Sequence, residues 1–309
     1  MRLKPTAWSI LIILCTAMLS RAKDAAYTRT EDVIYGRKYG TALTMDVFRP
    51  KKDANGAAIV FVVSGGWFSS HEHVSAKYGG GGYTIFAVVH GSQPRFTIVD
   101  AVSDLNRAVR YIRYHAKDYG IDPDRIGITG GSAGGHLSLM QGTASKEGDP
   151  KAKDPVDRVS SRVQAVACFF PPTDFLNWGE RGKNVLEKMP EQIKPAFAFR
   201  ERNPKTGGFR RVTDVAKIIA LLRELSPIQH VTEDDAPTLI VHGDKDKLVP
   251  IQQAEVLIAK LKKAGVHAEL VVKKGADHGW RGMDKDLVRF ADWFDRHLPK
   301  KGEDKKPEK

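Results

Sequence analysis

Residues 125–135, RIGITGGSAGG, decide the fold of this chain. The apolar run at 125–129 is typical of a strand, and residues 133–143 are typical of a helix. Between them, Gly130-Gly131-Ser132-Ala133-Gly134 fits G-x-S-x-G, which places a serine on a sharp strand-to-helix turn. Its neighbours must be small because the two backbones approach closely there. This setting favours a reactive Ser132 over a glycine-rich turn with an incidental serine.

The sequence on either side of this turn alternates strand-like and helix-like segments. Further strands are predicted at residues 43–48, 58–63, 84–89, 165–170, 238–242 and 268–272, and further helices at 98–116, 251–264 and 287–298. Strands that alternate with helices predict a mostly parallel sheet covered by helices on both faces. The unbroken apolar runs suit strands buried on both sides. The predicted fold class is therefore α/β.

One α/β domain is predicted over residues 23–298, with an insertion. From about 175 to 224 the sequence is charged, proline-dotted and helix-prone and lacks β-rich apolar runs, which predicts a helical cap. Residues 299–309 are almost all charged and are predicted to form a disordered tail.

The first 22 residues have the three-part pattern of a secretory signal. Arg2 and Lys4 precede the apolar stretch 8–19, and Ser20-Arg21-Ala22 is a small-x-small cleavage site. We therefore expect a secreted or periplasmic protein without stable membrane insertion after cleavage. An uncleaved anchor, or lipidation at Cys15, is the alternative. The mature chain would keep only Cys168, so no intramolecular disulfide is expected.

The chain carries a formal net charge of +12, part of it in the N-terminal segment and the tail. No RNP-like aromatic motif, zinc finger or basic helix accompanies this charge, so nucleic acid is not an expected partner. A soluble basic surface is the simplest interpretation. An acidic polymer, as substrate or support, is the alternative.

A serine hydroxyl needs an oriented base to accept its proton. Of the ten histidines, His278 lies in the loop after the last predicted strand, from which it can reach Ser132. His242 ends a strand, His136 follows the serine on its helix, and His297 lies on the final helix. His278 is therefore the predicted base.

The acid that orients the base is expected in the loop after the strand at 238–242. That loop offers Asp244 and Asp246. Asp246 is predicted because it lies deeper in the turn before the next helix, whereas Asp244 is expected to shape the turn. The order serine, aspartate, histidine is that of the α/β-hydrolases.

Acyl transfer also needs backbone N–H groups at the developing oxyanion. One donor is predicted at Ala133, directly after the serine. The other is predicted in the loop Ser64-Gly65-Gly66-Trp67, which follows the strand at 58–63. Gly65 and Gly66 allow this backbone to turn its amides inward.

Together these segments resemble the esterase and lipase branch that includes hormone-sensitive-lipase-like and feruloyl- or acetyl-xylan-esterase-like enzymes. The segments are Val63-Ser64-Gly65-Gly66-Trp67, residues 130–136, Ser226-Pro227, residues 242–250 and Asp277-His278-Gly279. The resemblance covers about residues 43–298 outside the insertion. It implies an α/β-hydrolase fold with a cap, and hydrolysis of carboxylic esters without a cofactor.

The chain departs from this resemblance at one place. Relatives usually show H-G-G-G-W or H-G-G-x-W, whereas Val63 or Ser64 stands at the histidine position here. The backbone donors survive this change. How the loop is held, and which acyl groups it accepts, depend on it.

Other readings of the sequence remain open. His71-Glu72-His73 could contribute to a metal site, but no further ligands accompany it, and no metal is predicted. The glycines at 79–82 lack the Lys-Ser/Thr of a phosphate loop. The aromatic residues Trp178, Phe197 and Phe199 could face a substrate or pack the insertion.

The expected activity is ester hydrolysis through an acyl-enzyme on Ser132, with a small-molecule ester or an acylated polysaccharide as substrate. An amidase or a peptidase of the prolyl-oligopeptidase type is one alternative, although no acidic pair to hold a substrate amine is readable. A hydrolase-fold protein that binds without catalysis is the other. The oligomeric state does not follow from the sequence.

Overall fold

The computed structural model describes residues 26–76 and 81–300. The signal predicted at residues 1–22, and the tail from residue 301 onward, lie outside the described residues. Within the described residues, no helix is both long and apolar enough to cross a membrane.

Eight strands form one sheet in the order β1-β2-β4-β3-β5-β6-β9-β10. The strands are β1 (Tyr27–Lys38), β2 (Thr41–Pro50), β3 (Ala58–Val63), β4 (Thr84–Val89), β5 (Ile126–Gly131), β6 (Ala165–Phe169), β9 (Thr238–Gly243) and β10 (Ala268–Lys273). All pairings from β4 to β10 are parallel, while β2 runs antiparallel to β4 and to β1. The mostly parallel α/β sheet is confirmed.

The helices cover both faces of this sheet. They are α1 (Ile98–Tyr114), α2 (Ala116–Tyr119), α3 (Ala133–Thr143), α4 (Val215–Glu224), α5 (Gln252–Lys263) and α6 (Leu287–His297). Strand β3 shows why its run is apolar throughout: Val60 and Val62 pack in the core under α1, α3 and α5, whereas Ile59 and Phe61 pack in the core under α6. Alternate side chains of one strand thus enter two different cores.

Strand β1 is absent from the sequence-based prediction. Its residues YTRTEDVIYGRK are mostly polar and exposed, and its pairing with β2 shifts register after Thr30 and after Ile34. Such bulges interrupt the alternation that identifies a strand in a sequence. Pairing with β2, together with the buried side chain of Tyr35, holds this edge strand in place.

The segment 175–224 adds no strand to the main sheet. It is less helical than predicted: besides short 3-10 turns and α4, it contains the hairpin β7 (Arg200–Arg202) and β8 (Phe209–Arg211). Both strands have three residues and are largely exposed, so no apolar alternation marks them in the sequence.

Candidate active site

Ser132 lies on the turn between β5 and α3, in a strained backbone conformation with φ 54° and ψ −120°. The neighbouring glycines are required by space. A Cβ on Gly130 would lie 2.6 Å from the carbonyl of Gly134, and one on Gly134 would lie 2.8 Å from the carbonyl oxygen of Val62. The Ser132 N–H donates to the carbonyl of Phe169 at 2.9 Å. Close backbone packing therefore fixes this turn.

His278 bridges the serine and the aspartate. Its Nε2 lies 3.0 Å from Ser132 Oγ, and its Nδ1 lies 2.7 Å from Asp246 Oδ2. A neutral ring with hydrogen on Nδ1 donates to the carboxylate and accepts the serine proton at Nε2. The structure thus brings together all three side chains predicted from the sequence.

Asp246 is held as an ionised, oriented carboxylate. Its Oδ1 accepts the N–H groups of Leu248 and Val249 at 2.9 and 2.8 Å, and His242 Nε2 lies 3.3 Å from Oδ2. Burial would raise the pKa of Asp246, but hydrogen bonds from His242, His278 and the Val249 N–H outweigh it and hold the pKa well below its usual range.

The competing carboxylate serves the loop, as its sequence position predicts. Asp244 Oδ1 accepts the Gly275 N–H at 2.6 Å, and its Oδ2 pairs with Lys274 at 3.5 Å. The hydrogen bond from the Gly275 N–H holds the pKa of Asp244 below its usual value. Asp244 therefore joins the loop after β9 to the loop after β10, whereas Asp246 contacts His278.

Phe170 and His242 support the site but are not singled out by the sequence. Phe170 adopts φ 34°, and its ring lies 4.4 Å from the His278 ring, centroid to centroid. His242 is fully buried at the end of β9 and reaches the carbonyl of Val249 at 2.8 Å. These two residues are distant in the sequence, and they meet at the site because β6 and β9 are neighbours in the sheet.

The predicted oxyanion donors differ in whether their N–H groups are already hydrogen-bonded. The N–H of Gly65 donates to the carbonyl of Phe68 at 2.9 Å, which corrects the prediction of Gly65 as a donor because its hydrogen is already paired. The N–H groups of Gly66 and Ala133 have no hydrogen-bond partner among the described residues. Ala133 begins α3, where an N–H has no partner within the helix. Gly66 and Ala133 remain the predicted pair.

A buried network holds the loop from behind. Trp67 follows Gly66, and its Nε1–H donates to His136 Nδ1 at 3.1 Å. His136 then donates from Nε2 to the carbonyl of Leu225 at 2.7 Å. Burial lowers the pKa of His136 to about 4, so this tautomer is neutral near pH 7. Helix α3, which follows Ser132, is thereby tied to the oxyanion loop, residues 64–67.

A second histidine compensates for the one missing from the loop sequence. His90, at the end of β4, has Nδ1 2.8 Å from the carbonyl of Gly91 and Nε2 2.8 Å from Ser64 Oγ. Burial lowers the pKa of His90 to about 4, so the ring is neutral. Nδ1–H then donates to the carbonyl, and Ser64 donates its hydroxyl hydrogen to Nε2. The serine at the altered position thus anchors the loop to β4.

The aromatic residues of the insertion pack rather than face open solvent. Trp178, Phe197 and Phe199 are all buried. The Phe197 ring lies 5.1 Å from that of Trp67, centroid to centroid. The insertion therefore stabilises the oxyanion loop by apolar contact.

His71 lies beside two carboxylates, Asp32 and Asp46, whereas His73 does not belong to this group. Asp46 already accepts the guanidinium of Arg29, with Nε at 2.7 Å. A cation there would compete with this ion pair.

The chain is similar in sequence to proteins that are named as ester hydrolases. The BD-FAE family matches residues 45–261. The probable carboxylic ester hydrolase LipM of Mycobacterium tuberculosis is 31% identical over 256 residues, which are 79% of this chain and 55% of that protein. The chain spans about half the length of such curated relatives.

Solved structures share nearly the whole fold. A truncated carbohydrate esterase from gut microbiota has a TM-score of 0.67 and 26% identity, covering 87% of this chain and 97% of that one. Thermogutta terrifontis esterase 2 phosphonylated by sarin has a TM-score of 0.65 and 25% identity, covering 86% of this chain and 93% of that one. The chain is therefore an α/β-hydrolase and belongs to the BD-FAE family.

Proposed function

We propose that this protein hydrolyses carboxylic esters through an acyl-enzyme on Ser132. The observation that carries the proposal is the continuous chain from Ser132 Oγ to His278 and Asp246, at 3.0 and 2.7 Å. Its relatives and structural neighbours that are named esterases support the same chemistry.

The geometry gives each residue one task. His278 Nε2 takes the hydroxyl proton as Ser132 attacks the ester carbonyl, and it returns the proton to the leaving alcohol. Asp246 keeps the hydrogen on Nδ1 and stabilises the positive ring. The N–H groups of Gly66 and Ala133 would stabilise the charged carbonyl oxygen. Water then attacks the acyl-enzyme in the same way. His278 takes a proton from the water and returns it to Ser132 as the acid is released.

Ester turnover and matched serine variants test this proposal. Hydrolysis of 4-nitrophenyl acetate should be lost in Ser132→Ala. Ser138→Ala is the control: it lies on the same helix and is buried, and its hydroxyl donates to the carbonyl of Gly134 at 2.8 Å. Ser138→Ala should retain turnover. A folded wild-type protein that hydrolyses no ester would instead indicate a binding protein.

We further propose that the substrate is an acylated carbohydrate and that the protein is exported. The likeness to a carbohydrate esterase supports the first. The Arg2-Lys4 end, the apolar stretch and Ser20-Arg21-Ala22 support the second. Screening acetylated and feruloylated polysaccharides against lipid esters tests the substrate. N-terminal sequencing of protein recovered outside the cytoplasm should begin at Lys23.

A further inference from the structure

The hairpin β7–β8 has two chemically different faces. Its register pairs Arg200 with Arg211 and Arg202 with Phe209. Opposed residues and alternate residues of antiparallel strands share a face. Arg200, Arg202, Phe209 and Arg211 therefore lie on one face, and the pair Glu201 and Arg210 lies on the other.

On the second face, both charged side chains of the hairpin form ion pairs. Glu201 accepts Arg210 Nη2 at 2.7 Å and Lys217 Nζ at 3.3 Å. On the first face, none of the three guanidinium groups forms an ion pair within the described part of the chain. Arg200 donates only to the carbonyl of Pro94, at 2.6 Å. This face thus presents positive charge without a counter-charge.

Exposed aromatic rings accompany the arginines. The Phe209 ring packs edge to face on Tyr39, with centroids 5.1 Å apart. Tyr39 is 55% exposed and Phe209 is 51% exposed. The exposed Arg95 donates to the Tyr39 carbonyl at 2.8 Å. Exposed aromatic rings beside arginines are typical of recognition surfaces.

This surface adjoins the candidate active site. Arg200 bonds to Pro94, and the preceding Gln93 N–H donates to the carbonyl of Trp67 at 3.4 Å. Trp67 directly follows Gly66, the predicted oxyanion donor. The side chain of Ile193, from the insertion that carries the hairpin, also lies beside Gly66. An extended ligand could reach from the hairpin to Ser132.

We propose that this arginine face, Tyr39, Arg95, Arg200, Arg202, Phe209 and Arg211, binds an anionic polysaccharide whose acyl group is cleaved at Ser132. Arginine forks match the planar carboxylates of uronic acids and also bind sulfate groups. The aromatic pair offers an apolar surface to sugar rings. DNA would also satisfy the arginines, but it carries no carboxylic ester for the adjacent site. The inference rests on the proposed ester hydrolysis.

Affinity electrophoresis through immobilised polymers tests the proposal without requiring activity. Polygalacturonate supplies carboxylates, dextran sulfate supplies sulfates, and neutral dextran is the reference. Wild type should be retarded by one or both charged polymers and not by dextran. The variant Arg211→Gln should bind about tenfold more weakly, as expected for a lost charge-assisted hydrogen bond. The polymer that retards more strongly identifies the anion.

The matched control is Arg210→Gln, on the other face of the same hairpin. It removes the same charge as Arg211→Gln and should keep binding within about twofold, because a change in net charge alone should alter the affinity for the polymer little. Ser132→Ala should also bind fully, so failed hydrolysis and failed binding are distinguishable. Equal losses in Arg210→Gln and the Arg211 variant, equal retardation by neutral dextran, or tighter binding of DNA would overturn the proposal. Melting temperatures near that of wild type verify that the variants are folded.

Discussion

Two turns meet at the carboxyl edge of the sheet: the nucleophile turn, residues 130–135, and the oxyanion loop, residues 64–67. Both contain left-handed backbone, with φ 54° at Ser132, 56° at Gly66 and 58° at Trp67. The nucleophile turn is held by backbone packed on backbone, where a Cβ at Gly130 would clash at 2.6 Å. In the oxyanion loop, a Cβ at Gly65 would meet nothing within 4 Å.

The difference shows what each turn depends on. The nucleophile turn is determined by its own short sequence together with the end of β3. The oxyanion loop is held by side chains from distant positions, such as His90, His136 and Ile193. We therefore expect the first turn to be encoded locally and to tolerate little change. The second should tolerate change except where a remote partner or a positive φ is involved.

The largest effect on turnover is expected at Asp246, which orients His278 toward the nucleophile turn. Asp246→Asn should lower kcat by about 10⁴, because the base is then held in the wrong tautomer. Asp244→Asn is the matched control in the same loop and should cost less than about tenfold, since Asp244 bonds Gly275 and Lys274 instead. Steady-state kinetics on a nitrophenyl ester measures both. The reverse order of effects would assign the acid to Asp244.

A smaller effect is expected in the oxyanion loop. Gly66→Val places a side chain at φ 56°, with its Cβ 3.3 Å from Ile193 Cγ1. Displacing one donor should lower kcat by about 10²–10³, while a phosphonate probe still reacts slowly. Gly65→Ala is the control, because its Cβ meets open space and its N–H is already paired. Near-normal turnover in Gly66→Val would place the second donor elsewhere.

Acid should weaken the supports of the oxyanion loop. Burial lowers the pKa of His90 and of His136 to about 4, so both rings bind protons more readily in the unfolded chain. Stability from each neutral ring is complete above the unfolded pKa of about 6.5 and is lost as the pH falls toward 4. Between neutral pH and pH 4 the free energy of unfolding should therefore fall by up to about 3 kcal/mol for each ring.

Urea unfolding between pH 7 and 4 measures this loss. His90→Gln should flatten the decline in unfolding free energy, whereas His73→Gln, at an exposed histidine outside the group of His71 and its two carboxylates, should leave it unchanged. An identical decline in His90→Gln and wild type would show that the ring is protonated without cost in the folded protein.

The smallest effect on turnover is expected at the altered position itself. Ser64→Ala removes the hydroxyl that donates to His90 Nε2 and leaves that buried nitrogen unpaired. The free energy of unfolding should fall by about 1–3 kcal/mol, while kcat falls by less than about tenfold because the hydroxyl only supports the loop. Ser69→Ala is the control in the same region. It also removes a buried hydroxyl, but that hydroxyl donates to the Val63 carbonyl and not to His90. A Ser64→Ala variant as impaired as Gly66→Val would mean that the hydroxyl contacts the oxyanion.

Prediction from the sequence follows the same division. Ser132, Asp246 and His278 could be predicted because each lies in a loop after a strand whose apolar run identifies it. The pairing of Gly65 with Phe68, and the anchoring of Ser64 by His90, could not be predicted, because they depend on how a loop closes and on which strand lies beside it. The hairpin of β7 and β8 could not be predicted for a related reason: its short polar strands carry no alternating pattern.

The central claim is that Ser132 is a nucleophile activated by His278, and a fluorophosphonate probe tests it most directly. Thermogutta terrifontis esterase 2, which shares this fold, is known in a form phosphonylated by sarin. Mass spectrometry of the labelled, folded protein should find one adduct, on Ser132, that is absent in Ser132→Ala and forms far more slowly in His278→Gln. A label on another residue, or none on the folded protein, would contradict the account.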